Sequence, residues 1–342
     1  MRGGAAILVE ATSGTVLYAR NEHQRRAPAS TTKMLTALVV LEKASPHEIV
    51  QISRKAATTP GSSLGLRMGD KIRLGELLRG VLVCSGNDGS VALAEHVAGS
   101  ETAFTEMMNA KAKELGALHT NFQNAHGLRA PSHYTTAFDL SLIARYAMNR
   151  PLFADFVSTR EGKMRMESDP SLRYIRNTNR LLWSFEGADG IKTGTTNEAG
   201  YCLVASATRE NRRFIAVVLN SPDRWGDCAR MLEYGFSQFN LERVAYAGEP
   251  CLTLAIPDGK PNKLTLYARR DLLIVIRKGE ERKYQKLVET DPGAITPPIR
   301  RGAIIGRISY TYDGCKVEGV DLIAKRSIKK KEFSWFEGWR RR

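Results

Sequence analysis

What this chain lacks narrows its chemistry first. Five cysteines, at positions 84, 202, 228, 251 and 315, are spread through 342 residues with no Cys-x-x-Cys pair, and no two histidines have zinc-ligand spacing. That pattern argues against a disulfide framework and against a structural metal site, and no cofactor is implied. Cys202, in "YCLVASA", reads as a buried strand residue. Nothing approaches the ~18 consecutive apolar residues that span a bilayer. The opening "MRGGAAILVEATSGTVLYARN" has only "AAILV" as a continuous apolar run. This falls short of the ~7–15 residues of a secretory core, so it reads as a strand, a turn and a second strand. No repeat of fixed period occurs.

Charge is what the chain has in excess. A formal net charge of +15 points to an anionic partner or surface. Nucleic acid is the first suspect, but there is no zinc-finger or RNP pattern, and the basic residues are scattered. They concentrate only in "AKRSIKKKEFSWFEGWRRR", so no nucleic-acid partner is expected.

Three regions follow from texture. Residues 1–243 mix strands at both ends with long helical periodicities between them, which predicts one sheet covered by helices. Within them, 200–221 reads as a hairpin about the turn "TRENRR", and 225–239 as a closing amphipathic helix. Residues 247–322 are short alternating strands broken by Gly, Pro and Asp-Gly turns, a small all-β module. Residues 323–342 are a basic, aromatic tail.

Three short elements carry the candidate chemistry. In "APASTTK", residues 27–33, Ser30 opens a helical stretch with Lys33 three positions on. Ser30 is either a helix cap or a nucleophile with an amine on the same face. The same Ser-x-x-Lys spacing recurs at Ser327–Lys330, so spacing alone does not decide. Ser85-Gly86-Asn87 falls in a break between two helical segments, where it is also good turn chemistry. Lys192-Thr193-Gly194 precedes the hairpin, where a lysine also guards an edge strand. By residue frequencies a Ser-x-Asn arises roughly once, and a Lys-Thr-Gly roughly once in ten, in chains of this length.

The ordered trio, with its flanks "GSSLGLRMGDKIRLGELLRGVLVCSGNDGS" and "GADGIKTGTTNEAGYCLVA", resembles the D-alanyl-D-alanine carboxypeptidases, the low-molecular-weight penicillin-binding proteins. The resemblance runs from residue 5 to about 325. It implies an α+β fold, namely a mixed β-lactamase/DD-peptidase-like domain (antiparallel sheet covered by helices) followed by a small all-β domain. It implies removal of the terminal D-Ala from peptidoglycan stem peptides through an acyl-enzyme on Ser30, and acylation by β-lactam antibiotics. Lys33 is then the base, which must be neutral to act, with Lys192 the second cation that lowers its pKa. Ser85 relays a proton to the leaving amine, and Asn87 holds the substrate amide. The backbone N–H groups of Ser30 and Thr195 form the oxyanion site. Lys192, Thr193 and Thr195 cradle the substrate carboxylate, while Gly194 lets the strand edge come close. A β-lactamase, a DD-transpeptidase or a non-turning-over β-lactam sensor are the alternatives on this scaffold. The Glu-x-x-Leu-Asn loop of class A β-lactamases is absent between Asn87 and Lys192, which argues against efficient β-lactam hydrolysis. His126, in "NAHGL", is expected to be structural, and Thr136 to start a helix with Asp139 behind it.

In the tail, Phe333, Trp335, Phe336 and Trp339 fall within about 160° of a helical wheel, flanked by Lys and Arg, with Glu332 and Arg340 interrupting the arc. This reads as a helix lying on an anionic membrane surface. The substrate implied by the resemblance lies outside the cytoplasmic membrane. The expectation is therefore an extracytoplasmic protein on that membrane's outer face, with a signal peptide not present in this sequence.

Overall fold

The computed structural model describes residues 1–168 and 172–331. The tail residues from Glu332 onward, with the aromatic arc, lie outside the described residues. The chain divides into two units, Met1–Ser237 and Gln238–Arg342.

The first unit opens with β1 (Ala5–Glu10) and β2 (Val16–Arg20), the two strands its alternating apolar start predicts. Every residue of β1 is buried, because both faces of the sheet it joins are covered. A single turn of 3-10 helix, Ala29–Thr32, leads into α1 (Lys33–Lys43). A small ladder of β3 (Ile49–Gln51) and β4 (Lys71–Arg73) brackets α2 (Arg54–Ala57). Then come α3 (Leu74–Cys84), α4 (Asn87–Ala98), α5 (Glu101–Glu114), α6 (Ala137–Met148) and α7 (Pro151–Ser158). The Thr136 side chain accepts from the Asp139 N–H at 3.0 Å and starts α6, as its sequence predicts. The hairpin β5 (Glu161–Arg165) and β6 (Leu172–Arg176) and the short α8 (Leu181–Ser184) return the chain to the sheet.

β7 (Ala188–Thr196), β8 (Gly200–Arg209) and β9 (Arg212–Leu219) complete that sheet, whose order is β2-β1-β9-β8-β7 with every neighbour antiparallel. The predicted 200–221 hairpin is β8–β9. Its two turn residues, Glu210 and Asn211, both have positive φ, as the right-handed twist of a tight hairpin demands. One sheet face, with residues such as Ile7, Val204 and Val217, shares a core with the helical layer, where α6 and α7 lie directly on the sheet. The other packs on α9 (Arg224–Gln238) through Leu8, Leu203 and Phe214. Each such fully buried aliphatic or aromatic side chain stabilises the fold by ~1.5–3 kcal/mol.

The second unit is all β. β10 (Phe239–Ala245) pairs with a strand further on, and the others are β11 (Pro250–Ala255), β12 (Gly259–Lys260), β13 (Lys263–Ala268) and β14 (Leu272–Arg277). They are followed by β15 (Tyr284–Thr290), β16 (Ile304–Tyr312), β17 (Cys315–Ala324) and β18 (Lys329–Lys330). The main sheet runs β11-β13-β17-β16-β15 over a core that includes Leu264, Ile274, Ile308 and Leu322. Two boundaries differ from the sequence expectation. β10 begins within 1–243 and runs on to Ala245, and it pairs with β14 from Phe239↔Arg277 to Ala245↔Leu272, so it belongs to the second unit. The module also runs past 322, because Ile328 is buried and β18 pairs with β12. Among the described residues no helix is long and apolar enough to cross a membrane.

Candidate active site

The sequence places Ser30 at a helix start, and the structure shows how that start is built. The helical residues of α1 begin at Lys33, with Thr32 in the capping position. Ser30 sits in the tight turn before it, half-buried, with its hydroxyl 3.0 Å from Lys33 Nζ. The hydroxyls of its neighbours tie the turn down: Thr31 Oγ1 donates to Pro28 O and Thr32 Oγ1 to Ala29 O, each at 2.8 Å. Ala29 has φ +47°, a left-handed conformation that costs a non-glycine residue ~1–3 kcal/mol unless its surroundings enforce it. Gly194 explains part of the enforcement. A Cβ there would lie 2.9 Å from Pro28 O and 3.1 Å from Ser30 N. The glycine therefore admits the serine turn against β7, which is a closer constraint than the room for substrate that the sequence suggested.

Lys33 is 0% exposed, and its Nζ has three neighbours: Ser30 Oγ, Asn87 Oδ1 at 2.7 Å and His126 O at 2.7 Å. Its pKa is held well below the ordinary lysine value, by burial first and Lys192 second, while Asp88 pulls the other way. An amide oxygen and a backbone carbonyl can only accept. The two hydrogens of a neutral amine therefore go to Asn87 and His126, leaving its lone pair facing the Ser30 hydroxyl. That is the arrangement a general base needs.

Asn87 and Ser85 take their places from the break between α3 and α4. Ser85 closes α3 in a left-handed conformation, φ +68°, and α4 begins at Asn87. Asn87 Nδ2 donates to Pro60 O at 2.7 Å, so both ends of its amide are engaged, one on Lys33 and one on the 60–66 loop. Among the described residues Ser85 makes no direct hydrogen bond to Ser30 or Lys33, so a relay through it needs substrate or water between. Asp88 organises the same loop, accepting from Ser63 Oγ at 2.5 Å, Leu64 N at 2.8 Å and Leu66 N at 3.2 Å.

β7 is the edge strand of the sheet and supplies Lys192, Thr193, Gly194 and Thr195. Lys192 is 1% exposed, with its pKa brought down to about 7 by burial first and the Arg224 guanidinium second. Thr193 Oγ1 meets Thr178 Oγ1 at 2.6 Å. The Arg224 guanidinium, on the first residue of α9, donates to Gly194 O at 3.0 Å and Thr195 Oγ1 at 2.8 Å, and stacks beside Tyr201 and Trp225. Sequence reading did not single out Arg224 or Asp88. Asp88 adjoins Asn87 in "SGNDGS", but nothing in the spacing between 194 and 224 announces that they meet. His126 enters through its backbone carbonyl, while its ring faces Glu101 at 3.3 Å.

A hydroxyl 3.0 Å from a buried amine, a second lysine on a strand edge and an arginine behind it are an arrangement able to support acyl transfer, on an α+β scaffold. Residues 1–223 match the family model described as D-alanyl-D-alanine carboxypeptidase, and 239–330 match that of the penicillin-binding protein 5 C-terminal domain. The chain belongs to the D-alanyl-D-alanine carboxypeptidase family. It is 35% identical over 340 residues to D-alanyl-D-alanine carboxypeptidase DacF of Bacillus subtilis, covering 97% of this chain and 87% of that protein. Penicillin-binding protein 5 of Haemophilus influenzae superposes with a TM-score of 0.87 at 31% identity, covering 96% of this chain and 98% of that one. A serine-to-alanine mutant of the Streptomyces K15 DD-transpeptidase superposes with a TM-score of 0.67 at 32% identity, covering 69% of this chain and 98% of that one.

Proposed function

We propose that this serine-type D-Ala-D-Ala carboxypeptidase works through the residues its sequence singles out, with Lys33 as a neutral base. The observation that carries the reading is the Lys33 amine, 3.0 Å from Ser30 Oγ with its other two neighbours both obligate acceptors. Lys33 takes the Ser30 proton as Oγ attacks the carbonyl of the penultimate D-Ala. The Ser30 and Thr195 N–H groups receive the oxyanion, a contact whose loss costs ~3–4 kcal/mol. The C–N bond then breaks, and D-Ala leaves with a proton relayed from Lys33 through Ser85. Water, activated the same way, hydrolyses the ester. Lys192, Thr193 and Thr195, backed by Arg224, hold the terminal carboxylate. Asn87 orients Lys33, and exchanging its Pro60 contact would let it hold the substrate amide. Gly194 seats the nucleophile turn.

Intact-protein mass spectrometry with a fluorescent penicillin tests this. Wild type should gain one adduct and Ser30→Ala none; an adduct on the variant would remove Ser30 from the role. A transfer reaction is the second reading, supported by the match to a DD-transpeptidase. Adding glycylglycine as acceptor separates the two, because transfer yields a new peptide product and hydrolysis only the shortened one.

The site of action is the outer face of the cytoplasmic membrane, with the tail lying on anionic lipid. The aromatic arc of 333–339 supports this. So does a recess of about 740 Å³ in the second unit, lined by Lys260, Lys329, Lys330 and Lys331. Lys260 and Lys329 stand directly opposite on paired strands, a repulsion that an anionic surface relieves.

A further inference from the structure

The reading above leaves unexplained why a histidine far from the nucleophile in sequence is buried beside the turn that carries it. His133 is 6% exposed, and its Nε2 lies 2.9 Å from Thr32 Oγ1. Its Nδ1 accepts from the Gln123 backbone N–H at 3.1 Å. The ring packs edge-on against Phe122, with centroids 5.4 Å apart.

These contacts fix a direction. A backbone N–H can only donate, so Nδ1 carries the lone pair, and the neutral ring carries its hydrogen on Nε2. Burial, with His126 and Lys33 nearby, brings the His133 pKa down to about 4, which keeps the ring neutral at working pH. Nε2–H therefore donates to Thr32 Oγ1, and the Thr32 hydroxyl spends its own hydrogen on Ala29 O at 2.8 Å. The chain runs one way, from Gln123 N–H through His133 and Thr32 to the Ala29 carbonyl.

That carbonyl belongs to the Ala29–Ser30 peptide group. The group is planar and its C=O and N–H point in opposite directions, so holding the oxygen aims the Ser30 N–H. Each donor upstream also polarises the next, which strengthens the final N–H as a donor. Gly127 walls in the same oxygen, since a Cβ there would fall 1.9 Å from it.

We infer that His133 is a positioning residue for acylation: through Thr32 it sets the orientation of the peptide whose N–H receives the oxyanion. The inference rests on the assignment of Ser30 N–H as an oxyanion donor.

The test compares His133→Asn, His133→Gln, Thr32→Val and Thr32→Ser. Asn retains an acceptor for Gln123 but does not reach Thr32, whereas Gln places a donor where Nε2 was. The readouts are the acylation rate with fluorescent penicillin, inhibition by a peptide boronic acid that mimics the tetrahedral oxyanion, and KM for a D-Ala-D-Ala peptide. His133→Asn and Thr32→Val should each slow acylation about 10- to 100-fold, the scale of a misaimed reacting group. Boronate affinity should weaken by the same factor, with KM little changed. His133→Gln and Thr32→Ser should recover most of the rate, and the double variant His133→Asn with Thr32→Val should be no slower than either alone. Equal loss in Asn and Gln, additive loss in the double variant, or unchanged boronate affinity would overturn the inference. If His133→Asn does not fold, the Thr32→Val and Thr32→Ser pair decides by the same readouts. A penicillin adduct on Ser30→Ala would instead overturn the underlying serine reading, so the two failures are distinguishable.

Discussion

Two buried lysines in the first unit have opposite fates. Lys111, on α5, has little exposed surface but sits far nearer the edge of the protein than Lys33. Burial pulls its pKa down, yet hydrogen bonds to Glu114, Glu42 and Tyr146 outweigh that and raise it. Lys33 has an amide, a carbonyl and a hydroxyl around it and a second lysine nearby, and its pKa falls. Burial lowers both, Lys33 more deeply, and the charge of the partners reverses the sign at Lys111. A lysine beside carboxylates is a structural cation, whereas one beside uncharged acceptors is ready to take a proton.

The largest effect should come from Lys33→Met. Penicillin labelling should slow by ~10²–10⁴-fold, the usual contribution of a general base. The variant's urea midpoint should not fall, because folding must strip the lysine of its proton, a cost that an apolar side chain does not carry. Labelling at a near-normal rate would break the comparison.

Lys192→Met should act through pH. Lys192 depresses the pKa of Lys33, so removing it should let that pKa rise and shift the acid limb of the acylation rate to higher pH. An unmoved limb would show that burial alone tunes Lys33. Stability offers a second check. The Lys192 pKa is about 7 in the fold against an ordinary 10.5, so between these values the unfolded chain binds more protons. Stability from this residue should therefore rise with pH across that window and be lost as pH falls through 7. The gap in urea midpoint between wild type and Lys192→Met should change accordingly between about pH 7 and about pH 10.

Lys111→Met should be the mirror image of Lys33→Met: acylation unchanged, stability lower by about 1 kcal/mol, since Glu42 keeps Arg150 at 3.3 Å. Removing residues 332–342 should have the smallest effect on catalysis, leaving D-Ala release from a soluble peptide unchanged. Sedimentation with anionic vesicles should fall sharply, and retained sedimentation would move the membrane contact away from the tail.

Much of this was legible because short-range rules govern it. The edge strand, the β8–β9 hairpin, α6 and its Thr136 cap, and the β module all follow from alternation, turn chemistry and capping. The three motifs were visible as strings. What the strings did not carry was who faces whom. Asn87, read as a substrate ligand, is also bonded to Lys33; Gly194, read as clearance for substrate, also seats the serine turn; Arg224 stood one residue ahead of a helix that looked merely amphipathic. Each depends on contacts between segments separated by tens of residues, where no local pattern reports the pairing. The unit boundary shifted for the same reason, because β10 is claimed by β14, which follows it by some thirty residues.

The fit of Gly127 against Ala29 O has a consequence in time. The 120s loop, docked on the start of α1, packs against the left-handed turn at Ala29 and brings the His126 carbonyl to Lys33. A partly folded chain with its helices formed and that loop undocked would carry an ordinary serine and an ordinary, protonated lysine. Reactivity toward penicillin thus requires that docking, and the rate at which a refolding chain becomes labelled clocks the closing of its own nucleophile turn.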